Sequence, residues 1–306
     1  MSTTGHRQVP ERLVLVAHGT RDPRGRAAIG ALAAEVAAAR PGAQTRLCFV
    51  DVQPPRVGQV LRAVADAESD RQPARRVLPT PSPASPGTSM PGQPRSPTGD
   101  LSEAGLPDPA LTGPDHSRPG RLAADPASAG PGAGIRVIPL LLTVGYHVRV
   151  DIGDAVRDCP GARAAPALGP DPVLTDLLAR RLRQVGAVGE DAIVLAAAGS
   201  SDPDAGRDVG RLGADLRRHT DIHGRPFQHL TIGFGASAEP SVAEAVRRAS
   251  ATGRRVVVAA YLLAPGYFYD VLSRSGADLV TAPLITAPLA PDPALVRLVL
   301  DRADGV

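Results

Sequence analysis

The 306-residue chain contains no lysine and no tryptophan, only four Tyr and four Phe, and two cysteines. Each shortage excludes something. With so few rings, an aromatic platform that stacks single-stranded nucleic acid cannot be built. Cys48 and Cys159 stand far apart, so neither a disulfide framework nor a cysteine-built zinc or iron–sulfur centre is supported. No apolar run reaches the roughly 18 residues of a membrane helix. The opening MSTTGHRQVPER lacks the apolar core of a signal peptide, so the expectation is a soluble, cytoplasmic protein without membrane or nucleic-acid partners. The absence of lysine makes all 34 basic residues arginine, whose guanidinium forks grip carboxylates and phosphates in pairs of bonds. A net charge of +3 is too small to draw the chain to a polyanion.

Glycine and proline, by contrast, are abundant: 32 of each. The excess has an address. Between Ser69 and Gly134 there are 14 Pro and 9 Gly in 66 residues, with no aromatic and six Arg against six acids. Such a segment cannot bury enough apolar surface to offset its ordering entropy, and it predicts a disordered insertion at 69–134. A polyproline ligand for a partner is the other reading of that composition. The insertion interrupts a domain and does not separate two. Before it, Val57, Val60, Leu61 and Val64 form a helical stripe; after it, IRVIPLLL reads as a buried strand.

With the insertion set aside, the chain repeats itself. LVLVAHGTRDPRGRAAIGALAAEV (13–36) aligns with IVLAAAGSSDPDAGRDVGRLGADL (193–216) at an offset of 180. PPRVGQVLRAV aligns with EPSVAEAVRRA at 185, whereas LLTVGYH with LLAPGYF, and PDPVL with PDPAL, align at 121. The offset drops by about the length of the proline-rich segment. Each copy predicts four strands, near 13–17, 45–51, 135–142 and 163–166, then near 192–197, 228–234, 255–263 and 278–281. Apolar strands alternating with amphipathic helices predict an α/β protein of two similar lobes with parallel sheets and flavodoxin- or Rossmann-like layering. The lobes are expected at 11–186 and 190–304.

In open α/β sheets, ligands bind beyond the carboxyl ends of the strands. There the first copy places Ala17-His18-Gly19-Thr20-Arg21-Asp22-Pro23 after its first strand and Gly145-Tyr146-His147-Val148-Arg149 after its third. Two facing imidazoles can hold a divalent ion or take protons near neutral pH; each alone can equally be a loop-packing histidine. The second copy has Ala198 and Phe268 at the matching positions and keeps the surrounding turn. Both histidines are lost together, as expected of a single site. The remaining histidines carry less: His6 lies in the tail, His116 in the insertion, His219 and His223 near a helix end, and His229 at a strand start. Gly233-Phe234-Gly235-Ala236-Ser237-Ala238 matches the dinucleotide fingerprint formally, but the next strand, RRVVVAAYLLAPG, ends without the required acid.

LVLVAHGTRDPRG, PLLLTVGYHVRVDI and LGPDPVLTDLLARRL together resemble the sirohydrochlorin chelatases, the small class II tetrapyrrole chelatases of siroheme and cobalamin synthesis. The resemblance covers the chain outside 69–134 and the tails. It implies a lyase that inserts Fe²⁺ or Co²⁺ into a carboxylate-rich tetrapyrrole, with the metal as substrate and no permanent cofactor. It also implies that His18 and His147 act on the ion and the pyrrole nitrogens. Arg21 and Arg149 are then candidates for substrate carboxylates, Thr20 for a hydrogen bond to one of them, and Tyr146 for the macrocycle face. Tyr267 at the matching turn favours a structural role for that tyrosine. Two departures stand out. The family's Glu-Pro survives only as Glu239-Pro240, since the first copy reads Gln53-Pro54-Pro55, and Asp51 stands where another family acid falls. The chain also ends in LVRLVLDRADGV, without a His- or Cys-rich tail. A non-catalytic tetrapyrrole or metal carrier of the same fold is the alternative. Two lobes in one chain predict a monomer.

Overall fold

The computed structural model describes residues 11–69, 134–143, 145–286 and 290–306, and for positions 68, 69 and 146–148 the backbone alone. All eight expected strands are present. The first copy runs β1 (Arg12–Ala17), α1 (Pro23–Ala39), β2 (Gln44–Phe49), α2 (Val57–Ser69), β3 (Ile135–Pro139), α3 (Tyr146–Arg157), β4 (Ala162–Ala164) and α4 (Pro172–Gln184). The second repeats it with β5 (Ala192–Ala197), α5 (Pro203–Leu216), β6 (Leu230–Phe234), α6 (Val242–Ser250), β7 (Val256–Tyr261), α7 (Tyr267–Ser273), β8 (Leu279–Val280) and α8 (Pro293–Asp304). The strands pair in parallel as β2-β1-β3-β4 and β6-β5-β7-β8. The expected insertion falls almost wholly outside the described residues, between the end of α2 and the start of β3. Among the described residues no helix is long and apolar enough to cross a membrane.

One dipeptide starts four of the helices. Asp22-Pro23, Asp171-Pro172, Asp202-Pro203 and Asp292-Pro293 open α1, α4, α5 and α8, and each aspartate accepts a hydrogen bond from the N–H two residues on. The proline supplies a helical φ where no donor is needed, and the carboxylate satisfies an orphan N–H at the positive end of the helix.

Strand β1 is buried along its whole length, so its side chains divide between two cores. Val14 and Val16 join Cys48, Val57, Leu61 and Ile152 beneath α2 and α3. Burial pushes the Cys48 thiol up to about 12, which leaves it a packing residue. Leu13, Leu15 and Ala17 face a larger core that also contains Ile193, Leu195 and Ala197 of β5. Four helices fill the space between the sheets, and their arrangement departs from the sequence repeat. Helix α4 packs on α5 and β7, while α8 packs on α1 and β3, so each copy contributes its last helix to the other.

Reciprocal ion pairs lock the exchange. Arg302 of α8 reaches Asp171 at 2.7 Å, and Arg180 of α4 reaches Asp292 at 2.8 Å. Tyr261, 2% exposed, donates from its hydroxyl to the Leu142 carbonyl across the halves at 3.0 Å. Tyr261→Phe strands that carbonyl in a dry site and is expected to cost about 1–2 kcal/mol. A denaturant midpoint equal to that of the unsubstituted protein would refute this.

Candidate active site at the strand ends

In the first sheet β1 is followed by β2 on one side and β3 on the other, so a crevice opens where the winding reverses, beyond the carboxyl ends of β1 and β3. The register pairs Val16 with Pro139, which brings the two strand ends level. His18 leaves β1 at this edge and is exposed. Its backbone is tied to the loop after β2, since Asp51 N donates to the His18 carbonyl at 3.0 Å. The next residue, Gly19, has φ +103°, and a side chain there would begin 2.2 Å from the Asp51 carbonyl oxygen. Only glycine lets the chain turn that closely. Gln53 Oε1 then accepts from Thr20 N at 3.2 Å.

The backbone of Tyr146 and His147 forms the first turn of α3, behind Gly145 at its N-cap. The side chains of both residues lie outside what the structure describes; the backbone brings the two histidine-bearing segments to one sheet edge. Arg21 is exposed in the loop after His18. Arg149 lies one turn into α3 and bonds Asp202 of the second half at 3.1 Å. Thr20 is engaged locally. Its hydroxyl accepts from Asp22 N at 3.1 Å and faces Gly266 of the second half.

Asp51, noted in the sequence only through the resemblance, and the backbone of Val52 complete this edge. Asp51 follows β2 at the same edge; the Val52 N–H and the Arg56 guanidinium beside it, with His18 nearby, hold its carboxyl below the usual carboxylate range. It is therefore an ionised acid next to His18. Val52 adopts φ +69°, a conformation that a β-branched residue rarely takes, and Ser237 at the matching place has φ +56°. The shared backbone kink was legible only as an alignment of the two copies.

The second half shows what happens when the chemistry is absent. Ala198, Ala236 and Phe268 stand where the first half has His18, Asp51 and His147. The Phe268 ring lies against Gly235, where a side-chain carbon would begin 2.9 Å from it, and joins Ala198 at the margin of the apolar core. Glu239, the residue of the surviving Glu-Pro, accepts from Ser241 N at 3.0 Å beside the start of α6. In the first half Gln59 Oε1 takes the corresponding Arg56 N–H at 2.9 Å. The glutamate missing at position 54 thus has a helix-capping task in this protein, and another side chain performs it. Tyr267, the counterpart of Tyr146, is 72% exposed. His219 and His223 both lie beyond the end of α5; His219 sits 3.6 Å from Asp176.

A sequence model of the CbiX family matches residues 12–75, 127–185 and 192–306. The chain belongs to the CbiX family. Its fold agrees with solved structures of SirB. The SirB protein of Bacillus subtilis with Fe³⁺ matches with a TM-score of 0.60 and 16% identity, covering 97% of this chain and 95% of that one. The sirohydrochlorin chelatase SirB of Bacillus subtilis subspecies spizizenii in complex with cobalt matches with a TM-score of 0.56 and 14% identity, covering 97% and 94%. No curated protein matches in sequence. The CbiX assignment and the two-sheet SirB fold bear out the resemblance read from the strand-end motifs. Among the described residues of this CbiX chain, no group of three or more His, Cys, Asp or Glu side chains is gathered for an ion.

Proposed function

We propose that the protein is a sirohydrochlorin chelatase that inserts Fe²⁺ or Co²⁺ into its tetrapyrrole, in siroheme or cobalamin synthesis. One observation carries the reading. His18 and His147 sit on the two segments that flank the winding reversal of the first sheet, while the related crevice of the second half has Ala198 and Phe268 with the ring packed inward. The first crevice keeps two titratable donors, with His18 exposed, whereas the duplicate has none and packs a ring against Gly235.

The reaction exchanges one M²⁺ for two pyrrole protons. Neutral imidazole suits both tasks, as a borderline ligand for Fe²⁺ or Co²⁺ and as a base whose ordinary pKa lies near neutrality. In this reading His18 and His147 hold the incoming ion and accept the protons, and Asp51 lends negative charge beside His18. Arg21 reaches substrate carboxylates. Thr20 and Arg149, proposed from the motif as substrate contacts, are better supported as parts of the joint between the halves. Val52, Val150 and Tyr267 are exposed apolar residues of the loops and helices that follow the strands, and with Tyr146 they are the candidates for the face of a flat macrocycle. An anaerobic absorbance assay with sirohydrochlorin and either ion is expected to show insertion well above the spontaneous rate. A rate equal to the protein-free background would leave the carrier reading in its place.

A further inference from the structure

The two histidine-bearing segments are anchored differently. The β1 end takes its hydrogen bonds from its own half, through the Asp51 N bond to His18 and the Gln53 bond to Thr20, with Gly19 seated close on Asp51. The connection from β3 into α3 takes side-chain anchors from the other half. Tyr261 donates to the Leu142 carbonyl, and Ser200 Oγ stands 3.0 Å from where a Gly145 side chain would begin. Arg149 Nη2 donates to Asp202 Oδ2 at 3.1 Å. Helix α3 begins at Gly145, without a side-chain cap of its own.

The repeat sets this pair apart. At the related junction one sign is reversed: Asp270 stands in the place of Arg149, while Asp22 keeps the carboxylate of Asp202. Arg24, which replaces Asp204, bridges those two carboxylates at 2.9 and 2.6 Å. An arginine closes both junctions, but only the Arg149–Asp202 junction ties down a helix that carries one of the histidines.

We infer that the second half, which has lost the histidines, acts as the positioner of His147: Asp202, gripping Arg149 and aided by Ser200 and Tyr261, sets the first turn of α3 at the separation from His18 that lets both imidazoles share an ion. Asp202 is a positioning residue. The inference rests on the chelatase reading of the histidine pair, but its test on the metal alone does not require turnover.

Asp202 does two separable jobs. Oδ1 accepts from Asp204 N and caps α5, while Oδ2 faces Arg149. Asp202→Asn keeps an oxygen for the cap and loses the acceptor for Arg149. It is expected to weaken Co²⁺ binding, read from the visible spectrum of the ion, about tenfold. The kcat for insertion is expected to fall likewise, with KM for the tetrapyrrole within about twofold. Arg149→Gln supplies the decisive contrast, because it removes a positive charge near the ion and leaves the α5 cap intact. Simple electrostatics would make it bind Co²⁺ more tightly; positioning makes it bind more weakly, like Asp202→Asn. Asp270→Asn at the related junction should bind and turn over as the unsubstituted protein does. Unchanged affinity in Asp202→Asn, tighter binding in Arg149→Gln, or an equal loss in Asp270→Asn would each overturn the inference. Histidine-dependent Co²⁺ binding without insertion would sink the chelatase reading alone, and the positioning role would stand or fall on the affinities. Binding that His18→Ala leaves unchanged would overturn both.

Discussion

His18→Ala and His147→Ala are each expected to lower the rate of metal insertion by at least about 100-fold, the usual loss when a residue that moves a proton is removed. Here the same residues are also proposed to hold the ion. Neither variant should unfold the chain. His18 is exposed and its structural bonds run through its backbone, which alanine preserves. His147 stands in the first turn of α3, and alanine is the best helix former. The measurement is the initial rate at saturating tetrapyrrole with Co²⁺, alongside thermal melting. Native melting with a rate within tenfold of the unsubstituted enzyme would remove that histidine from the mechanism. If the two roles are divided, the double variant will be little worse than either single one, because residues that act as a unit do not add.

The second large effect is on stability. Gly199→Ala is expected to lower the melting temperature by about 10 °C, from a loss of about 3 kcal/mol in a domain of this size. Gly199 has φ +91°, and a side-chain carbon there would lie 1.8 Å from the Ala236 carbonyl oxygen. Alanine must therefore leave its favoured conformation and push apart two strand-end loops, with no flexible side chain to absorb the displacement. Since Ala198 has replaced the histidine in this half, the variant separates the strand-end geometry from the chemistry. The activity that remains below the new melting point should be close to normal. An unchanged melting temperature would mean that the turn relaxes freely, contrary to its packing. Gly19→Ala poses the same obstacle beside His18 and should cost activity as well.

How far the sequence foretold this can be judged element by element. The eight strands, their parallel direction and the edge that carries the histidines followed from apolar periodicity and from the three alignment offsets, because strand burial and helix amphipathicity are written locally. The exchange of α4 and α8 was not legible. Leu174, Leu177, Leu178 and Leu182 give α4 an apolar stripe that fits either sheet, and periodicity says nothing about which sheet receives it. The Arg149–Asp202 pair joins residues 53 apart in different copies. Its trace was nonetheless present, for the alignment sets Arg149 against Asp270 and Arg24 against Asp204, a double reversal of sign that only a shared interface would coordinate. Asp51 drew notice only through the resemblance, since its nearness to His18 depends on the tight turn at Gly19.

The exchanged helices also bear on how duplication altered this architecture. A half that must borrow its last helix cannot complete its core alone, and as a separate chain it would depend on meeting a second copy in solution. The short stretch from Val185 to Asp191, between α4 and β5, makes that meeting intramolecular, at an effective concentration on the order of millimolar. Assembly then becomes insensitive to dilution. The two copies are also free to diverge, because every molecule contains one of each. A symmetric pair must keep any change in both crevices, whereas a covalent pair can spend one crevice on support and keep the other for chemistry.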